Sequence, residues 1–134
     1  MLFTDLDTKQ YKKHASLLAD VAASVKYLLT VDRHIAARAI AVAYARAAGE
    51  IDHWELAAAR NAATAAARRA HARGDEVSER ALLSASYAAD HEYIRAAPAC
   101  AGNATRARDL AAGPGGSDQK ERNAVMLRAW AEQQ

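Results

Sequence analysis

Five histidines and one cysteine carry the most reactive chemistry in this chain. His14, His34, His53, His71 and His91 could ligate a metal, but a metal centre demands spacing as well as residue type. A carboxylate-bridged di-iron bundle needs two Glu-x-x-His pairs and two further glutamates on facing helices. The chain offers one such pair, Glu50-Ile51-Asp52-His53, and it straddles an expected helix start. A helical zinc protease needs His-Glu-x-x-His. The nearest run, His91-Glu92-Tyr93-Ile94-Arg95, lacks the second histidine. The imidazoles are therefore read as surface or half-buried side chains, and no metal or cofactor is expected. Cys100 follows Pro98-Ala99 at an expected helix start, where the helix dipole could lower its pKa. No base accompanies it, so an inert thiol is the simpler reading. Neither a glycine-rich phosphate loop nor a nucleophile elbow is present. The chain is not expected to be an enzyme.

The other candidates are binding residues. Between Ala57 and Gly74 the charged residues are Arg60, Arg68, Arg69 and Arg73, with no acid among them. One reading is a patch for an anionic partner, either phosphate or an acidic protein face. The other is local. Arg68, Arg69 and Arg73 close one helix while Asp75, Glu76 and Glu79 open the next, each set complementing its macrodipole and pairing across Gly74. No aromatic residue interleaves with these arginines, which argues against a single-strand stacking platform. The alanine-rich segment also offers few side chains to read bases, so no helix-turn-helix is assigned. Trp54, Tyr87, His91 and Tyr93 form a second set. Core packing is their expected role; any left exposed would make good interface anchors.

These residues must be positioned by helices. A three-four spacing through Tyr11, His14, Leu18, Val21, Val25 and Leu28 predicts a first helix from about Asp5 or Asp7 to Leu29. A second runs from Asp32 to Ala48, capped by Thr30 or Asp32, with Ile35, Ala39, Val42 and Ala43 inward and Gly49 as its stop. The third has the clearest start. Asp52 and Glu55 fit a capping box, Ile51 and Leu56 a hydrophobic staple, and Gly74 ends it after Arg73. A fourth is expected from Asp75 or Ser78 to just before Pro98, on an apolar side of Val77, Leu82, Leu83, Tyr87 and Ile94. A further piece spans Pro98 to Ala111. Gly113-Pro114-Gly115-Gly116-Ser117 reads as a flexible linker. A last helix from Asp118 could dock through Met126, Leu127 and Trp130. The expected organisation is a bundle over 1–112, a linker at 113–117 and a C-terminal helix at 118–134.

Composition agrees. Of 134 residues, 37 are alanine and only 22 are Leu, Ile, Val or Phe. Alanine buries little area but has the best helix propensity and lets helix axes approach closely. Strand-like alternation is absent. The expected fold is all-α, a compact bundle of four to six helices. One cysteine forbids an intrachain disulfide and excludes a cysteine-based zinc site. The acidic N-terminal residues do not fit a signal peptide, and no run reaches the ~18 apolar residues of a membrane span. A soluble, cytoplasmic protein is expected. The net charge of +2 is too small to mark a nucleic-acid binder.

Four stretches are similar to those of a known family. Leu18-Ala19-Asp20-Val21-Ala22-Ala23 leads into Asp32-Arg33-His34-Ile35-Ala36-Ala37-Arg38-Ala39-Ile40. Ala45-Arg46-Ala47-Ala48-Gly49-Glu50-Ile51 follows, and then the alanine-repeating run from Ala57 to Ala72. Over about residues 15–95 the chain resembles alanine-rich helical immunity proteins of polymorphic-toxin systems from high-GC bacteria. It departs from that family at Tyr44, where a tryptophan is usual, and after residue 95, where a histidine- and alanine-rich helix is missing. The resemblance implies a cytoplasmic module that binds and neutralises a protein; it brings no site residues with it. The leading expectation is thus a non-enzymatic, immunity-type or phage-type inhibitor acting by occlusion on a toxin or a defence or effector complex. A homodimer is a further expectation. Inhibitors of basic nucleases are normally acidic, and this chain is not. The alternative is a helical nucleic-acid binder using Arg60, Arg68, Arg69 and Arg73.

Overall fold

Asp52 marks where local chemistry dictates structure most plainly. Its carboxylate accepts the Glu55 amide at 2.9 Å and opens a 20-residue helix, His53–Ala72. Gly74 ends it with φ +75°, a left-handed conformation that glycine adopts without penalty. The return bond from Glu55 that would complete a capping box is absent among the described residues. The computed structural model describes residues 16–50, 52–90, 93–112 and 128–132. Within them the architecture is all-α. A helical stretch at 16–23 (α1) is followed by a 3-10 turn, Lys26–Leu28. Next come α2 (Arg33–Ala47), α3 (His53–Ala72), α4 (Glu76–Ala88) and α5 (Tyr93–Ala112). A last helical turn, α6, lies at 128–131.

Successive helices alternate in direction, and side-chain bonds record the register. Tyr44 Oη donates to Asp20, tying α2 to α1. Arg69 meets Asp32 at 3.7 Å, and Thr64 meets Ser86 at 2.6 Å, so α2, α3 and α4 run antiparallel in turn. The Ser84 hydroxyl donates to the Cys100 carbonyl at 2.9 Å, and Arg80 to Asn103 at 3.1 Å, setting α4 against α5. Arg108 donates to the Ser24 carbonyl at 3.0 Å and closes the ring. Helix α4 lies centrally, packed on α2, α3 and α5. Its buried residues are mostly small: Ser78, Ala81, Leu82, Ser84, Ala85, Ser86 and Ala88. Short side chains let three neighbours approach, and Ser84 and Ser86 hydrogen-bond across the gaps instead of leaving polar atoms stranded.

Four boundaries differ from the sequence expectation. The first helix stops at residue 23, not Leu29: the Ser24 hydroxyl turns back to the Val21 carbonyl at 2.6 Å, and a 3-10 turn follows. Asp32 occupies the N-cap position of α2 but makes no side-chain cap; it sits at φ +60° with its carboxylate toward Arg69. The expected fourth helix is two helices, broken at Ala89 and Asp90. Pro98 lies inside α5, at an exposed position where only the bond to the Ile94 carbonyl is forfeited. The Gly-Pro linker at 113–117 and the start of the last helix at 118–127 lie outside the described residues. So do Tyr11, His14 and Ile51. Trp130 is half-buried and packs against the core, as expected of a docked last helix.

Candidate functional site

The break after α4 is held by a residue outside both candidate sets, Arg46. Arg46, only 7% exposed, donates Nη2 to the Ala88 carbonyl at 2.8 Å and Nη1 to the Asp90 carbonyl. The end of a helix presents carbonyls without partners and carries partial negative charge, so a buried guanidinium there satisfies both. The signal was present: Arg46 continues the inward row Ala39, Val42, Ala43 at helical spacing. This arrangement is structural.

Cys100 is likewise structural. It is the eighth residue of α5, not a helix start, and is fully buried. Burial pushes its thiol up to about 12, against a smaller lowering by the Ser84 hydrogen bond. The dipole-activated nucleophile is therefore overturned. Among the described residues no three His, Cys, Asp or Glu side chains are placed to hold a metal. No described helix is long and apolar enough to cross a membrane.

The four arginines do not converge. Arg60 and Arg68 are eight residues apart, about 12 Å along α3. Arg69 lies half a turn round the helix from Arg60 and pairs with Asp32. Of the cross-turn pairing expected of Arg68, Arg69 and Arg73, the described residues show Arg73 with Asp75 at 3.8 Å, and His71 faces Glu79 at 3.2 Å. Arg68 is exposed.

The candidate anchors also separate. Tyr87 is half-buried against the core, as expected. His91 and the Tyr93 side chain lie outside the described residues. Trp54 is 85% exposed, against the expectation of core packing. The cause is angular: Leu56 takes the core-facing position, and two residues of α-helix rotate Trp54 about 200° away from it. Beside it His53, Leu56, Ala57 and Arg60 line an open depression of about 280 Å³. Trp54 also heads a longer row. Ala58, Asn61, Ala65, Arg68 and Ala72 follow at intervals of four and three, and all are exposed. This is the outward face of α3, rigid because Asp52 and Gly74 fix both ends.

Comparison with protein-family models, curated proteins and solved structures finds no match to this chain.

Proposed function

We propose that this chain is a non-enzymatic protein-binding module that neutralises a protein target by direct contact and occlusion, with the outward face of α3 as its contact surface. The observation that carries this reading is Trp54, which is 85% exposed on a capped helix. An indole in water forfeits the hydrophobic gain of burial, and tryptophan dominates binding hot spots. A rigid helix presents it with little ordering cost on association. The resemblance to immunity proteins supports the same class. The arginines support a nucleic-acid reading less, because acidic side chains flank Arg69 and Arg73.

Affinity capture of the tagged full chain from its native host, with and without nuclease, tests the reading. A stoichiometric protein that survives nuclease and is lost with Trp54→Ala is the expected result. Capture that collapses on nuclease treatment, or no partner at all, would overturn it.

A further inference from the structure

The outward face of α3 is complementary to itself. Trp54, Ala58, Asn61, Ala65, Arg68 and Ala72 repeat at four-three-four-three-four, the seam spacing of a coiled coil. Every large member alternates with an alanine. Two such helices set antiparallel about a two-fold axis at Ala63 bring each large side chain opposite a small one. Trp54 meets Ala72 of the second copy, Arg68 meets Ala58, and Asn61 meets Ala65. That knob-against-small pattern lets the helix axes approach closely.

The charges agree independently. Glu55 and Arg69 are both exposed and occupy equivalent flanking positions, each one residue beyond a seam member. In the antiparallel pairing Glu55 of one copy lies beside Arg69 of the other, twice over by symmetry. A parallel arrangement sets each flanking side chain against the position on the other side of the seam and forms no Glu55–Arg69 pair. Among the described residues Arg69 is held in its own chain by a 3.7 Å pair with the half-buried Asp32, and its own side chain is exposed, so the pair costs little to rearrange.

We propose that two copies of this chain associate through α3, antiparallel, as an isologous dimer. The proposal rests on the reading of this face as a protein-contact surface and names a second copy as an occupant. Self-association then sheathes Trp54 until a target competes for it. The helix is 20 residues long, about 30 Å, so one helix per copy places the interface at the small end of specific interfaces. The association is concentration-dependent on that account.

Sedimentation velocity of the purified full chain across a wide concentration range tests it without any target. The expected result is a monomer–dimer equilibrium. Ala65→Glu puts a carboxylate in the seam at a position exposed in the monomer, and should weaken the dimer about ten-fold or more without lowering the monomer's helicity by circular dichroism. Glu55→Arg and Arg69→Glu should each weaken it, and the double exchange should restore it. A monomer at every concentration overturns the proposal. So does a dimer indifferent to Ala65→Glu, or one that the double exchange fails to restore. Host capture that fails while the dimer behaves as described removes the inhibitor reading alone.

Discussion

Arg46 of α2 donates its guanidinium to the Ala88 carbonyl at 2.8 Å, so the end of one helix is capped by the buried side chain of another. The same guanidinium reaches the Asp90 carbonyl, and the two bonds pin the corner from which α5 departs. The core around it is mainly alanine and serine, with few large side chains to fix geometry by packing. Directional bonds take a larger share of that task here.

Arg46→Ala should therefore destabilise strongly. One buried and one half-buried carbonyl lose a charged donor, a loss of about 2–4 kcal/mol. Thermal melting should fall by about 10 °C. Lysine should restore only part, because one ammonium lacks the planar fork that spans two acceptors.

Two glycines should respond oppositely to alanine. Gly74 has φ +75°, and although nothing lies within 4 Å of a new Cβ, Gly74→Ala forces a left-handed backbone that costs about 1–2 kcal/mol. Gly102 lies within α5 with nothing within 4 Å, and Gly102→Ala should stabilise by about 0.5–1 kcal/mol. Chemical denaturation of the two variants checks the pair.

Asp75 makes the start of α4 sensitive to acid. Its carboxylate accepts from Ser78, the larger effect, and lies near Arg73; together these lower its pKa from 3.8 despite partial desolvation. A depressed folded-state pKa contributes stability above the unfolded value, lost as pH falls through the folded one. Stability should decline from about pH 4 downward, and Asp75→Ala should remove that contribution at a cost of about 1 kcal/mol at neutral pH. Denaturant titrations at stepped pH measure both.

Cys100 should be silent to thiol reagents in the native state. Burial pushes its thiol from 9.0 up to about 12. The folded form thus keeps its proton where the unfolded form loses it, and stability should fall as pH rises from about 9 toward 12. Tyr44, raised to about 12 by burial and then by Asp20, adds to the same alkaline loss. Labelling should appear only with unfolding. Reaction at neutral pH in the folded protein would contradict the placement of Cys100.

Legibility in the sequence followed chemistry that is local. Asp52, Glu55 and Gly74 announce α3 because a cap and a left-handed glycine act within one turn. Gly49, at φ +76°, ends α2 for the same reason. The break at Ala89 and Asp90 carries no glycine or proline; it depends on Arg46, more than forty residues upstream. Pro98 looks like a boundary, yet it is the sixth residue of α5 and forfeits a single bond there. Hydrophobicity alone points Trp54 inward, while Leu56 competes for the same helix and wins the core side. Proximity in sequence groups the arginines, yet half a helical turn separates Arg60 from Arg69. The outward row from Trp54 to Ala72 is legible as spacing, but only burial shows that its six members are exposed among the described residues.

The most direct test of the central claim is quantitative capture from the native host, with nuclease present. Wild type, Trp54→Ala, Ala58→Glu and Arg38→Ala are run side by side, the last altering an exposed position on a different helix, α2. Binding through α3 predicts one stoichiometric partner with wild type and Arg38→Ala, and its loss with Trp54→Ala and Ala58→Glu. Equal recovery from all four, or recovery that depends on nucleic acid, would contradict it.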